Sequence, residues 1–188
     1  MKRVVLAVFA VACLAGMGSL SAQRVRYGLG GGVVMPMGDY KTLDKLGWLA
    51  GADVTYWLAS APIGMRGDFQ YSQTSHKDVV GVAVDGNSKV IGGMAEIVYA
   101  FGEQAAQIRP YILGGVGYFN VKVTATVQGL TIAASESKVG FGGGAGLAFK
   151  MGTGNTRIFV EGKFVNVSTT GGSTTFLPIR VGVRFGGN

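Results

Sequence analysis

Eight segments of the chain carry an apolar residue at every second position, and this alternation constrains the fold more than any other feature. The segments are 25–34, 48–58, 63–72, 89–101, 110–121, 138–150, 156–167 and 176–186. A period of two is that of a β-strand whose two faces meet different surroundings. In the last segment Val181 and Val183 alternate with Arg180, Gly182 and Arg184. The sequence therefore predicts an all-β protein with eight antiparallel strands.

Alternation alone does not decide which face is enclosed, because a soluble ligand-binding barrel and a membrane barrel both alternate with opposite orientation. Glycine, 33 of 188 residues, crowds the polar face, which suits a narrow interior. Aromatic residues recur near the strand ends, as expected for rings at the membrane interfaces. They are Tyr27, Trp48, Tyr56, Tyr71, Tyr99, Tyr111 and Phe185. These features favour an apolar face turned outward to lipid.

The links between segments alternate in length. Short links follow the second, fourth and sixth segments, at 59–62, 102–109 and 152–155. Longer links follow the first, third and fifth, at 35–47, 73–88 and 122–137, and the last link, 168–175, is intermediate. This asymmetry is typical of an outer-membrane barrel with both termini in the periplasm. Closure also pairs every backbone group, as hydrocarbon requires.

Charged residues lie on the faces opposite the apolar stripes, and barrel closure would bring them together. They are Arg26, Asp53, Arg66, Asp68, Glu96, Glu161, Lys163, Arg180 and Arg184. Such charges form either a conduction pathway or a packed ionic core. Eight strands leave an interior that side chains just fill, which favours the packed core. Acids and bases together can compensate one another there.

The N-terminus predicts a signal peptide over 1–22, followed by one barrel domain over 23–188. Lys2 and Arg3 precede an apolar run too short to span a membrane as a helix, and Ala22 ends an A-x-A-like cleavage site before Gln23. Cys13, the only cysteine, lies within this segment. Acylation of Cys13 is the alternative, but the residues before it match a lipobox weakly.

Several chemistries find little support in the sequence. The net charge of +7 is spread along the chain without the basic patch that nucleic-acid binding needs. With one histidine and no cysteine in the predicted mature chain, we expect no metal site and no cofactor. His76 lies near Ser72, Ser75 and Asp78, a combination that suggests Ser/His/acid catalysis. The segment reads as an exposed loop, so we expect no enzyme activity.

The terminal strand Phe176–Phe185 and the opening Tyr27–Asp39 resemble those of the OmpA/OmpX-type outer-membrane β-barrel proteins. The resemblance covers essentially the whole mature chain and rests on pattern. It implies an up-and-down transmembrane barrel, with outer-membrane lipids and the barrel-assembly machinery as partners. In that family a final aromatic residue is the assembly signal; here Phe185 is followed by Gly186-Gly187-Asn188.

The sequence therefore predicts an outer-membrane barrel of a Gram-negative-type bacterium. Its expected role is structural or in interaction, with loops at the cell surface and an interior filled by ion pairs. A surface ligand is not identified by the sequence. A narrow porin for small solutes is the first alternative, and a secreted soluble barrel that binds an apolar ligand is the second.

Overall fold

The computed structural model describes residues 25–38, 40–58, 61–77, 85–127, 130–169 and 172–187. In these ranges each strand pairs antiparallel with its sequence neighbours, and the last pairs with the first to close a barrel. The strands are β1 (Val25–Met37), β2 (Gly47–Trp57), β3 (Ile63–Ser75), β4 (Asp85–Ala100), β5 (Ile108–Val127), β6 (Leu130–Lys150), β7 (Arg157–Thr169) and β8 (Gly172–Gly186). The predicted eight-stranded all-β barrel is confirmed.

Between β1 and β2 lies a four-residue helix, α1 (Tyr40–Leu43). No helix in the described ranges is long and apolar enough to cross a membrane. The predicted signal peptide, 1–22, and its cleavage site at Ala22 and Gln23 lie outside the residues that the structure describes.

The apolar face of the strands points outward and the polar face points inward. Met65 and Val116 are more than half exposed on the outer surface, whereas Arg66 is 3 % exposed. Aromatic residues form pairs on this outer face near both ends of the barrel. Trp48 contacts Tyr71 with ring centroids 5.3 Å apart, and other pairs are Tyr27 with Phe185 and Tyr99 with Phe101. The exposed apolar surface is that of a protein whose surroundings are hydrocarbon.

The strands at one end are longer than the sequence predicts. β5 and β6 continue through the predicted long link 122–137 as a paired hairpin, with Lys122 opposite Ser135 and Val123 opposite Ala134. The intermediate link, 168–175, is likewise mostly strand in β7 and β8. β-branched residues favour extended backbone, and strands that project beyond the membrane do not need a clean apolar alternation. We call this end the outer end, and the end with the short turns the short-turn mouth.

Inward-facing glycines create space for larger interior side chains. A Cβ on Gly28 would meet the Asp53 carboxylate, and a Cβ on Gly51 would lie 2.7 Å from Arg180 Nη1. Both approaches are closer than real Cβ contacts allow, so a larger residue at either position would have to displace an interior charged group. The glycine content therefore reflects the crowding of the interior.

Candidate functional site in the barrel interior

Glu161 on β7 lies at the centre of a buried group of charges. Its carboxylate accepts hydrogen bonds from Arg66 Nη1 at 2.6 Å and Arg184 Nη2 at 2.9 Å. Arg180 Nη2 donates a third, at 3.2 Å. The Glu161 side chain has no exposed surface. Charge-assisted hydrogen bonds of this kind are shorter and stronger than neutral ones.

Asp53 on β2 and Asp68 on β3 bind the two buried arginines of β8. Arg180 Nη2 donates to Asp68 Oδ2 at 2.7 Å and to Asp53 Oδ2 at 3.1 Å. Arg184 Nε donates to Asp53 Oδ1 at 3.0 Å. Asp53 and Asp68 are directly opposite each other across β2 and β3. Facing carboxylates repel, and the Arg180 guanidinium between them offsets that repulsion.

Lys163 connects Glu96, the fourth acid, to the other buried charges. Its Nζ donates to Asp68 Oδ1 at 2.8 Å and to Glu96 Oε1 at 3.1 Å. Arg66 Nη1 lies 3.6 Å from the other Glu96 oxygen. We call these eight residues the ion-pair network. They are Asp53, Arg66, Asp68, Glu96, Glu161, Lys163, Arg180 and Arg184, four acids and four bases.

The period of the strands explains why these residues meet. Glu161 and Lys163 are two positions apart on β7, and Arg180 and Arg184 are four apart on β8, so each pair shares the inner face. The register then sets partners side by side. Arg66 is opposite Glu96, and Glu161 is opposite Arg180.

Arg26 does not join the network, although the sequence places it with the other interior charges. It lies at the short-turn mouth, where its Nε donates to the Gly187 carbonyl at 3.1 Å. Two further buried arginines, Arg109 and Arg157, lie at the same mouth and escaped the sequence analysis. Arg157 shares the alternation of Glu161, which is the signal that could have revealed it.

Tyr111 was wrongly predicted to belong to the outer aromatic belt. It is 4 % exposed and points into the barrel. Its hydroxyl donates to Glu161 Oε2 at 2.9 Å and accepts from Arg184 Nη1 at 2.9 Å. Tyr111 alternates in phase with Leu113 and Gly115, which also face the interior. The prediction used only its position near a strand end and so missed this signal.

An apolar layer fills the interior between the network and the outer end. Its side chains are at most 8 % exposed. They are Val34, Leu49, Val90, Met94, Phe119, Val121, Val165, Val167 and Phe176. Phe119 and Phe176 meet edge to face, with ring centroids 6.1 Å apart. Sequence reasoning, which expected a polar interior throughout, missed this layer.

A polar cluster at the outer end anchors the link that contains α1. Asp44 accepts hydrogen bonds from Thr74 Oγ1 at 2.6 Å and from Ser88 Oγ at 3.1 Å. Tyr40 Oη lies 2.9 Å from Thr74 Oγ1. Burial raises the pKa of the Asp44 carboxyl, and it raises the pKa of Tyr40 to about 12. In both groups burial disfavours the charged form.

His76 belongs to this cluster and is not the exposed loop residue that the sequence predicts. Its side chain is 10 % exposed, and its backbone forms a bridge with Asp44. Nε2 lies 3.2 Å from Ser88 Oγ and 3.9 Å from Asp44 Oδ1. A catalytic triad needs the acid and the hydroxyl on opposite ring nitrogens, and here they share one. Asp78 lies outside the described residues.

Within the described ranges, no three His, Cys, Asp or Glu side chains are arranged to hold a metal ion.

A closed barrel with an apolar outer surface and paired charges inside defines the class of outer-membrane β-barrel proteins. The chain belongs to the outer membrane protein beta-barrel domain family, whose model matches residues 5–185. Its location is accordingly the outer membrane, which excludes the secreted soluble barrel. No curated protein sequence matches the chain significantly.

Solved structures of similar fold come from several bacteria. Neisserial surface protein A (NspA) has a TM-score of 0.59 and 12% identity, covering 85% of this chain and 95% of its own. A major outer membrane protein of Thermus thermophilus has a TM-score of 0.57 and 10% identity, covering 86% and 98%. Ail, the attachment invasion locus protein of Yersinia pestis, has a TM-score of 0.52 and 19% identity, covering 86% and 97%. At these identities the likeness shows the fold alone.

Proposed function

We propose that this chain is a non-conducting outer-membrane scaffold, closed inside by the ion-pair network and the apolar layer, with its outer end exposed at the cell surface. The observation that carries the proposal is the filled interior. Eight strands enclose a space that side chains can occupy completely. The network side chains are at most 7 % exposed, and Phe119 and Phe176 are at most 2 % exposed.

Each of the two interior layers opposes ion flow for a different reason. An ion that crosses the apolar layer loses its hydration and gains no polar partner. An ion that enters the network has to displace a charge that is already paired at about 3 Å. A narrow porin, the remaining alternative, needs a continuous polar path through both layers.

Planar-bilayer recording tests the closed interior. We expect the unmutated protein to show no stable single-channel steps. Replacing the network arginine with Arg180→Ala and the layer residue with Phe176→Ala in one protein should introduce steps, while the outward Phe164→Ala should not. Stable conductance from the unmutated protein would establish the narrow porin instead.

The projecting hairpin of β5 and β6 supports a role in surface interaction. Its residues from Thr131 to Ser135 are exposed and carry Thr, Ile, Ala and Ser side chains, which can contact other molecules. The predicted mature chain has no cysteine, so Ala133→Cys can be labelled with a membrane-impermeant maleimide on intact cells. Gly154→Cys, in the 151–156 turn at the opposite mouth, is the matched control. If only Gly154→Cys is labelled before lysis, the barrel has the opposite orientation and the proposal is wrong.

We further propose that Phe185 is the signal read by the barrel-assembly machinery. Phe185 is 43 % exposed and stacks on Tyr27 across the closure of β1 and β8. Phe185→Ala should lower the amount of folded protein in cells while the purified chain still refolds in detergent. Equal loss in both assays would indicate a stability effect and would refute the signal.

We also infer that residues 1–22 are a signal peptide and that 23–188 form the mature domain. The family match and the barrel support an exported chain. N-terminal sequencing of the protein from outer membranes should begin at Gln23. Retention of Met1 or a lipid on Cys13 would contradict this inference.

We infer a non-enzymatic role, supported by the shared ring nitrogen in the His76 cluster. His76→Ala should leave membrane lipids unchanged relative to cells that make the unmutated protein. Loss of a lipid A hydrolysis or acyl-transfer product in that variant would contradict the inference.

A further inference from the structure

The buried bases of the described chain outnumber the acids available to pair with them. Seven arginine and lysine side chains are buried, and four of them belong to the ion-pair network with its four acids. Asp44, the remaining buried acid, lies in the outer polar cluster with His76. The three bases left over are Arg26, Arg109 and Arg157, and all three lie at the short-turn mouth.

These three arginines are buried, and the hydrogen bonds and ring contacts that the described residues give them all involve neutral groups. Arg157 donates to the carbonyls of Gln104 and Ala106 at 2.7 and 3.0 Å. The Arg109 guanidinium lies over the Trp57 ring, 4.8 Å from its centroid, and its Nε is buried without a hydrogen-bond partner. The exposed fractions are 6 % for Arg26, 7 % for Arg109 and 3 % for Arg157.

The described residues supply no carboxylate for this mouth. Every ion pair that the structure shows for a buried arginine involves the network, and none involves these three. Glu103, in the turn between β4 and β5, is exposed. Buried charges of one sign are costly unless a counter-charge is present. Within the described ranges, the positive charge of this mouth is therefore uncompensated.

Space for an anion adjoins two of the three arginines, Arg26 and Arg157. A pocket of about 210 Å³ is lined by Arg26, Arg157, Lys150 and the polar turn residues Gln104 and Asn155. At about 30 Å³ per water, this volume holds roughly seven waters, which is ample for a small oxyanion. Arg109 lines a second, much smaller cavity of about 20 Å³ together with Arg26 and Arg157.

We propose that the short-turn mouth binds a phosphate group, free or as the headgroup of a lipid, through Arg26, Arg109 and Arg157 with Lys150 at the rim. Guanidinium donors match phosphate oxygens in paired hydrogen bonds. A tetrahedral phosphate accepts from several directions at once, as three arginines around one mouth require, whereas a planar carboxylate accepts within one plane. The proposal does not depend on the barrel being closed to ions.

Thermal unfolding of the detergent-folded protein tests the site with inorganic phosphate as the probe. Chloride at equal ionic strength is the reference, because exposed charges respond to salt. A hundredfold excess over the dissociation constant should raise the midpoint by about 5–11 °C. Arg109→Gln should abolish the rise, Lys150→Gln should reduce affinity several-fold, and Lys138→Gln on the outer hairpin should leave the rise unchanged.

The same variants separate a binding role from a structural one. In chloride, Arg109→Gln should unfold at or above the midpoint of the unmutated protein, because it removes an unpaired charge. A structural arginine such as Arg180 should instead give a lower midpoint when replaced by Gln. Heat-modifiable gel migration confirms folding, and Lys150→Gln provides the affinity test if Arg109→Gln does not fold.

Short-chain phosphatidic acid, added in a second set of titrations, distinguishes the two sources of phosphate. A midpoint rise with inorganic phosphate identifies a free-ion site, and a rise with the lipid alone identifies a headgroup site. Equilibrium dialysis should show one phosphate per chain in the first case. The absence of a response to both probes, or a response that survives Arg109→Gln, would overturn the proposal.

Discussion

Neutralising Glu161 is the sharpest test of the ion-pair network. Glu161→Gln keeps the shape of the side chain but removes the charge that three arginine contacts share at 2.6 to 3.2 Å. Four buried bases then face three acids. Breaking a buried pair in this way costs about 3–5 kcal/mol. The folding equilibrium should fall by roughly a hundredfold to a few thousandfold.

The change should appear directly in unfolding experiments on the barrel in detergent or lipid. For a chain of this length, about 3–5 kcal/mol corresponds to a decrease of roughly 6–20 °C in the unfolding midpoint. Heat-modifiable gel migration and urea titration followed by circular dichroism both report it. The matched control is Glu136→Gln, which removes the acid of a partly exposed ion pair with Lys138 at 3.0 Å and should cost at most about 1 kcal/mol.

A second replacement checks that charge balance is the cause. Arg66→Gln added to Glu161→Gln returns the network to equal numbers of acids and bases. The double variant should be more stable than the sum of the single effects predicts, by about 1–3 kcal/mol. A Glu161→Gln effect no larger than that of Glu136→Gln, or strict additivity in the double variant, would refute the reasoning.

Four further outcomes follow from the same contacts. Tyr111→Phe leaves buried partners without a hydrogen bond and should cost about 1–3 kcal/mol in urea unfolding. Gly144→Ala drives a Cβ into a neighbouring carbonyl and should cost about 1–3 kcal/mol, whereas Gly162→Ala, with open space outside, should change stability by less than about 0.5 kcal/mol. Val181→Arg, on the outer face, should cost about 2–4 kcal/mol in bilayers and much less in a soluble-barrel arrangement. Burial raises the pKa of Tyr40 from 10.0 to about 12 in the folded protein. The protonated Tyr40 therefore contributes its full free energy of stabilisation below pH 10.0, and this contribution is lost as pH rises through about 12. The free energy of unfolding measured against pH should fall in this range, and the Tyr40→Phe variant should lack this decrease. The same slope in the variant and the unmutated protein would contradict the prediction.

The alternation of the strands made the fold predictable and divided the residues between two faces, because one residue of register error would exchange them. The glycines on the polar face, the aromatic residues near strand ends and the unequal links then indicated which face is enclosed. Arg180 and Val181 are adjacent, yet one is 2 % exposed and the other 50 %. Strand ends were less predictable. Beyond the membrane both faces of a strand meet water, so the hairpin around Val123 shows no distinct period. Its β-branched composition was the signal that remained.

The sequence indicated that these charged residues face the interior, but it did not indicate which of them join the ion-pair network and which lie at the mouth. Arg26 has the same chemistry and the same inward direction as Arg184, and only the three-dimensional register separates their surroundings. Tyr111 lies near a strand end, where lipid-facing and inward-facing aromatic residues have similar sequence contexts. The apolar layer escaped prediction because Phe119 and Phe176 lie on the predicted polar face, which a membrane barrel need not fill with polar groups throughout.

The order of the layers along the barrel follows from the energy of buried charge. Charges at the centre are farthest from water, and it is there that acids and bases are equal in number. The excess positive charge of Arg26, Arg109 and Arg157 lies beside the open pocket at the mouth, where an external anion can reach it. The apolar layer separates the network from the outer polar cluster of Asp44 and His76. A charge moved from the mouth into the centre would lose access to any external partner. The three arginines, which have no acidic partner among the described residues, lie instead where a partner can reach them from outside the barrel.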